Sequence, residues 1–156
     1  MPIVAFGLGS NLGDKAENLR QAVIQIEGRI GRVTAHSALY ASLPWGYSSE
    51  NTYINACVAV ETHLPVEECL RITQEIEIGL GRLTKSRDGY QDRTIDIDIL
   101  CYDRLIVETN ELVVPHPLLH ERLFVLEPLA EILPEWVHPV LGRTTVELLK
   151  TLTEPA

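Results

Sequence analysis

The spacing of apolar positions changes several times along the chain, and each change marks an element. Ile3 to Gly9 is a short, nearly continuous apolar run, the pattern of a buried strand. From Lys15 to Ile30 the apolar residues Leu19, Ala22, Val23, Ile26 and Ile30 recur at helical spacing. Arg32 to Leu43 and Tyr53 to Thr62 are strand-like, and the turn-rich segment from Pro44 to Asn51 predicts a long connection between them. Pro65 suits the first turn of a second helix, whose apolar line runs Cys69, Thr73, Ile76 and Leu80 before Gly79 and Gly81 weaken it. Thr94 to Tyr102 alternates strictly, with Ile95, Ile97 and Ile99 set against Thr94, Asp96 and Asp98.

The order strand, helix, strand, strand, helix, strand predicts an α+β fold of the ferredoxin-like βαββαβ kind. In that arrangement helices cover one face of an antiparallel sheet and the other face is open for a ligand. After Tyr102, the residues Pro115, Pro117, Pro128, Pro134 and Pro139 divide the chain into short pieces. Only Thr145 to Leu152 predicts a further helix there, so this part is read as a C-terminal extension that flanks the sheet.

Length and charge narrow the choices. A chain of 156 residues fits one domain, residues 1–156, with enough apolar surface to bury a core. Its longest apolar stretches fall far short of the ~20 residues a membrane span needs. No targeting segment is visible, so a cytoplasmic protein without a membrane partner is expected, and a monomer. A net charge of -9 argues against a nucleic-acid partner, because such binding draws on an excess of Lys and Arg. Cys57, Cys69 and Cys101 are odd in number, widely spaced and set among apolar neighbours, which predicts reduced core residues.

Asp96 and Asp98 carry the strongest chemical signal. A two-residue spacing in a strand sends both carboxylates to one face, about 6.5 Å apart at the α-carbons. Side by side they repel, and a divalent cation or a bound arginine is the usual remedy. A solvated polar strand face is the plain alternative. Just before them Arg82, Lys85, Arg87 and Arg93 gather cations in an otherwise acidic chain, in a loop that also holds Gly81 and Gly89. Cations abutting paired acids fit phosphoryl transfer, although a cation run is commonly only surface. His116 and Arg122 are further candidate phosphate donors, each with a structural reading beside it. Tyr53 and Asn55 share a strand face, an aromatic plate beside an amide, which suits a flat heterocycle or equally an edge strand. With the first strand between theirs and that of Asp96, the two sites stand ~10 Å apart. Gln74 and Glu77 lie at i and i+3 off the apolar line of the second helix, as surface residues or as ligands.

The run Arg93-Thr94-Ile95-Asp96-Ile97-Asp98-Ile99-Leu100 resembles the signature of the 6-hydroxymethyl-7,8-dihydropterin pyrophosphokinase family. Gly9-Ser10-Asn11-Leu12-Gly13-Asp14, Pro44-Trp45-Gly46, Tyr53-Ile54-Asn55-Ala56, Glu77 with Gly81-Arg82, Val114-Pro115-His116-Pro117 and Arg122 to Leu129 resemble other landmarks of that family in order and spacing. The resemblance implies diphosphate transfer from Mg-ATP to the pterin hydroxymethyl group, with release of AMP, in folate synthesis. It implies that Asp96 and Asp98 hold two Mg²⁺ ions and that Arg82 and Arg93 join them as catalytic residues. The pterin would lie between Tyr53 and Phe124, with Asn55 and the Ser42-Leu43-Pro44-Trp45 backbone reading its edge. ATP would meet Gln74, Glu77, Arg82, Lys85, Arg93, His116 and Arg122, with the loop from Arg82 to Arg93 closing over it. Two departures stand out. The family commonly shows a tryptophan-glycine-proline-arginine run where this chain has Tyr90-Gln91-Asp92-Arg93, in a loop one residue longer than in some relatives. Thr84 stands where some members carry a second arginine, leaving Lys85 or Arg87 to supply that charge.

Two rival readings use the same features. An RNA-binding sheet would expose aromatics on its open face, but would not set two aspartates among them. A nucleotidyltransferase would also use paired aspartates with a triphosphate, releasing pyrophosphate instead of AMP.

Overall fold

A computed structural model describes residues 1–42, 52–81 and 94–154. At the centre of its main sheet lies β1 (Ile3–Ser10), antiparallel to β4 (Tyr53–Thr62) on one side and to β5 (Asp96–Tyr102) on the other. The outer edge of β4 pairs with β2 (Gly31–His36) and with β3 (Tyr40–Ser42), so the order is β2-β4-β1-β5 with β3 beside β4. The Tyr53 strand and the Asp96 strand thus flank β1, as the sequence reading requires.

One expected strand is broken. The predicted run from Arg32 to Leu43 is two strands, because Ser37, Ala38 and Leu39 stand opposite only Ala56 and Cys57 between the pairs His36–Val58 and Tyr40–Asn55. The Ser37 N–H donates to the Cys57 carbonyl at 2.9 Å, while the Cys57 N–H donates to the Ser37 hydroxyl at 2.9 Å. A side chain takes the place of a ladder carbonyl, and the Ala38 N–H leaves the ladder. Leu43, at the end of the expected strand, lies outside the described residues.

On the first face of the sheet pack α1 (Lys15–Arg29) and α2 (Val66–Gly79). The Asp14 side chain caps α1 by accepting from the Glu17 N–H at 3.2 Å, satisfying a donor that the helix leaves open. Val4, Phe6 and Leu8 of β1 meet Val58 and Val60 of β4, Ile97 and Ile99 of β5, and the apolar lines of both helices, Leu19, Ala22 and Ile26 with Cys69, Ile72 and Ile76. All three cysteines are buried free thiols, as expected, and burial pushes the pKa of each upward.

The second face corrects two expectations, that helices cover one face only and that one helix follows Tyr102. A short ribbon, β6 (Val107–Glu108) with β7 (Val113–Val114), leads through a 3-10 turn at Leu119–Glu121 into α3 (Leu123–Ile132), and α4 (Thr145–Thr153) follows. Leu119, Val125, Leu126, Leu129 and Leu148 cover Ala5, Cys57, Leu100 and Cys101 on this face. The proline rule failed at Pro128, which lies inside α3 and is itself buried. An interior proline costs about 3 kcal/mol, but burying Leu126 and Leu129 contributes about 1.5–3 kcal/mol each. Packing outweighs the missing N–H. A bulge makes this cover possible. Phe6 pairs with Ile99 and Ala5 with Cys101, so Leu100 is an extra residue, and it and Cys101 both reach the second core.

If α3 is part of the core, Leu129→Ala should cost about 2–5 kcal/mol, whereas Leu152→Ala, at a residue 40% exposed, should change stability by less than about 0.5 kcal/mol. Urea unfolding reads both, with the Leu129→Ala midpoint lowered at unchanged slope; equal midpoints would mean that α3 docks without stabilising.

Candidate active site

The end of the second face that carries Asn55 and Asp96 is built on glycine, with Gly9 buried beneath its neighbours. Gly9 is paired with Asn55 on one side and Asp96 on the other, and Gly7 with Cys57 and Asp98. Opposed residues share a face, so Asn55, Gly9 and Asp96 form a row across three strands with Asp98 beside Gly7 in the next. A β-carbon on Gly9 would lie 3.1 Å from Asn55 Oδ1 and 3.3 Å from Tyr53 Cδ1. On Gly7 it would lie 3.3 Å from Leu100 Cδ2. The two glycines therefore form a trough floor over which flanking side chains lean. Tyr53 reaches across it, its hydroxyl donating to Asp96 Oδ2 at 3.5 Å, a long bond.

On the β4 side Asn55 is only 5% exposed. Its Nδ2 donates to Ser42 Oγ at 2.7 Å and, more weakly, to the Tyr40 carbonyl at 3.4 Å. Both contacts direct the amide nitrogen toward β3, which turns the acceptor oxygen toward Gly9 and the trough. Phe124 stands in the first turn of α3, partly exposed, with the Arg122 guanidinium 5.6 Å from its ring centroid, within cation–π range.

On the β5 side Asp96 and Asp98 are half-buried, with Ile95 and Ile97 turned into the first core. Between the aspartates, the outward N–H of Ile97 donates to Glu77 Oε2 at 2.8 Å, and Glu77 is only 7% exposed. Of the two possibilities for Glu77, a surface position is excluded: its carboxylate pins α2 to the strand that bears the aspartates. Gln74, one turn earlier, is exposed on α2. Gly81, at φ +121°, sits against Thr94, whose Oγ1 lies 3.2 Å from where a β-carbon on Gly81 would stand. The chain before residue 82 and the chain after residue 93 therefore meet next to Asp96. Arg82, Lys85, Arg87 and Arg93, with the Tyr90-Gln91-Asp92 departure and Thr84, lie outside the described residues, as do Leu43 and Trp45.

His116 stands beside β5, outside any strand itself. Its N–H donates to the Leu100 carbonyl at 2.9 Å, and its Nδ1 accepts from the Leu118 N–H at 3.2 Å. Burial first, and the Arg122 charge second, lower its pKa to about 4. The imidazole is neutral at physiological pH, and because Nδ1 accepts, the proton resides on Nε2 as a donor.

Sequence reasoning overlooked Gly7 and Gly9 as parts of the site. The signal was available: glycines at alternate positions inside an apolar strand mark a close approach. It also passed over Asn18, whose Nδ2 donates to Ser10 Oγ at 3.1 Å and to the Leu12 carbonyl at 2.8 Å, holding the turn that leaves the trough. That contact carries no sequence signature.

Comparisons with known proteins bear on this site. The family model described as 7,8-dihydro-6-hydroxymethylpterin-pyrophosphokinase matches residues 5–134. The 2-amino-4-hydroxy-6-hydroxymethyldihydropteridine pyrophosphokinase of Porphyromonas gingivalis is 44% identical over 141 residues, covering 89% of this chain and 95% of that one. The protein of the same name from Bacillus subtilis is 45% identical over 131 residues, covering 83% of this chain and 77% of that one. Among solved structures, an HPPK-DHPS crystallised in complex with substrates matches with a TM-score of 0.73 at 15% identity, covering 96% of this chain. The wild-type Plasmodium falciparum HPPK-DHPS with SDX-DHP matches with a TM-score of 0.71 at 16% identity. This chain spans 43% and 44% of the length of those two chains, and at such identity they speak for the fold alone. The extent of the family match and the level of identity to curated relatives together make this chain a member of the 7,8-dihydro-6-hydroxymethylpterin-pyrophosphokinase family.

Proposed function

We propose that the chain transfers the terminal diphosphate of ATP to the hydroxymethyl group of 6-hydroxymethyl-7,8-dihydropterin, releasing AMP, as a step in folate biosynthesis. Family membership carries the pyrophosphokinase activity. The observation that ties it to this trough is the row Asn55–Gly9–Asp96, which puts a buried amide acceptor and a carboxylate on either side of a side-chain-free floor. A flat, hydrogen-bonding ring suits the Asn55 end. Polyphosphate, with its charge neutralised, suits the Asp96 end.

In this reading Tyr53 and Phe124 bracket the pterin, Asn55 reads its edge, and the backbone from Ser42 to Trp45 completes that edge. Gln74, Glu77, Arg82, Lys85, Arg93, His116 and Arg122 are assigned to ATP. The position of Glu77 suggests a more particular part, holding Asp96 and Asp98 in place through the Ile97 N–H. Neutral His116 would offer Nε2–H to a phosphate oxygen without adding charge. Arg82, Lys85 and Arg93 lie in the sequence between Gly81 and Thr94, and Arg82 and Arg93 are assigned with the aspartates to catalysis.

Asp96 and Asp98 fit Mg²⁺. They are hard oxygen donors on one face, and among the described residues no group of three acidic, His or Cys side chains forms a closed metal cage. Phosphate oxygens and water would complete the coordination, as is usual for Mg²⁺ with nucleotides. When bound, Mg²⁺ would neutralise phosphate charge and polarise the phosphorus under attack. The chain supplies position: β4 and α3 hold the pterin hydroxyl and β5 the phosphates, so that alignment contributes much of the acceleration.

We also assign the sheet, with its order β2-β4-β1-β5 and β3 continuing the edge, to the ferredoxin-like class, one domain over residues 1–156. No described helix is long and apolar enough to cross a membrane. We read the chain as a cytoplasmic monomer whose partners are ATP and the dihydropterin.

Incubation with Mg-ATP and 6-hydroxymethyl-7,8-dihydropterin should yield AMP one for one with pterin diphosphate. ADP as main product would indicate ordinary kinase chemistry, and free pyrophosphate a nucleotidyl transfer; either overturns the reading. Asp96→Asn and Asp98→Asn should each lower kcat by at least about 10³-fold, while circular dichroism stays unchanged.

His116 offers a pH test. Because its folded pKa is lowered to about 4 from the ordinary 6.5, its contribution to stability is fully present above pH 6.5 and is lost as pH falls through 4. In the ligand-free protein the His116 ring resonances should titrate with a midpoint near 4, well below the ordinary 6.5. Titration centred near 6.5 would refute a buried neutral imidazole.

A further inference from the structure

Phe124 and Glu131 lie seven residues apart on α3, near its start and its end, which is about two turns and therefore the same side of the helix. The two oxygens of Glu131 accept from the Ala38 N–H at 3.0 and 3.2 Å, and Oε1 also accepts from the Tyr40 hydroxyl at 2.5 Å. Ala38 can donate there because the Ser37–Leu39 irregularity has turned its N–H out of the ladder. Tyr40 in turn stands opposite Asn55 in the β3–β4 pairing, and its carbonyl accepts from Asn55 Nδ2. One carboxylate thus ties the helix that carries Phe124 to the strand that orients Asn55, across 91 residues of chain.

We propose that Glu131 is a positioning residue that sets the width of the slot between Phe124 and Asn55, so that it governs affinity for the flat ring and not for the nucleotide. The proposal rests on the pterin reading of that slot. The Glu131 hydrogen bonds run to Ala38 and Tyr40, on the β4 edge of the sheet, whereas Asp96 and Asp98 stand on β5, across β4 and β1. The Tyr40 phenol is pushed up to about 12, chiefly by its hydrogen bond to Glu131, and stays a donor throughout the physiological range. Hydrogen bonds to a charged acceptor are the stronger kind, large enough for their loss to be felt at the slot.

Glu131→Gln keeps the size of the side chain and one acceptor oxygen, and Tyr40→Phe keeps the ring, so both variants retain the packing around the clamp. Each is titrated calorimetrically with 6-hydroxymethylpterin and, separately, with a nonhydrolysable Mg-ATP analogue. We expect pterin Kd to rise about tenfold in each, with nucleotide Kd within about twofold, since a lost charged hydrogen bond is of that order. KM for the dihydropterin should rise while kcat stays within about threefold, and the double variant should be no worse than the weaker-binding single one. Unchanged pterin affinity, equal loss for both ligands or additive effects would overturn the proposal and leave Glu131 as a stabilising tie only. Failure of the unaltered protein to bind the pterin would be a different result, removing the pterin reading and this proposal with it.

Discussion

The register of β1 against its two neighbours is the constraint on which the site depends. It sets Gly9 between Asn55 and Asp96, and Gly7 between Cys57 and Asp98. Side chains alternate across a strand, so a slip of one residue would send Asn55 and both aspartates into the apolar core. The core itself holds the register. Val4, Phe6 and Leu8 must face the helices together with Val58, Val60, Ile97 and Ile99, and only one alignment buries them all. Hydrophobic burial on the first face thereby dictates which polar groups stand side by side on the second.

That second face is divided along the strands. Near Ala5, Cys57 and Cys101 it is small and apolar and must be covered, which α3 and Leu148 of α4 do. Near Gly9 it is polar and flanked by carboxylates. The bulge at Leu100 marks the border on β5, because it keeps Asp96 and Asp98 in phase with the trough while bringing Leu100 and Cys101 together under α3. The same helix that seals the apolar half also carries Phe124, packed at the margin of that cluster with the Arg122 guanidinium 5.6 Å from its ring. In the proposed reading, covering the core and presenting Phe124 to the pterin would be consequences of one docking event.

The elements with local signals were legible in the sequence. Strict alternation from Thr94 to Tyr102 placed both aspartates on one face, and the alternate positions of Tyr53 and Asn55 placed them on that same face. What stayed hidden depends on contacts distant in sequence. The break between β2 and β3 arises because the Ser37 hydroxyl substitutes for a ladder carbonyl, a choice made by Cys57 twenty residues away. Helix α3 was missed because Pro128 argues against a helix locally, whereas Leu126 and Leu129 argue for one only when the second core exists to receive them. Glu77 gave no sign of burial, since its partner is a backbone N–H on an edge strand. For the cations between Arg82 and Arg93 the argument is their place in the sequence beside the paired acids, together with the family resemblance.

Charge decides how such a trough can take ATP. A chain with net charge -9 repels a free nucleotide polyanion at long range, and Asp96 and Asp98 would add to that repulsion at contact. Two carboxylates held in phase by a strand cannot move apart to relieve each other. Their repulsion is lowered by protonation or by a cation, and a cation that also coordinates phosphate turns the least favourable neighbours of a polyphosphate into its anchor. The cost of holding the acids together is met by the core, through the Ile95, Ile97 and Ile99 side of the same strand and the Glu77 bond to Ile97. In the proposed reading the nucleotide would enter as its metal complex, because the sheet sets two negative charges side by side on the face where its phosphates would lie.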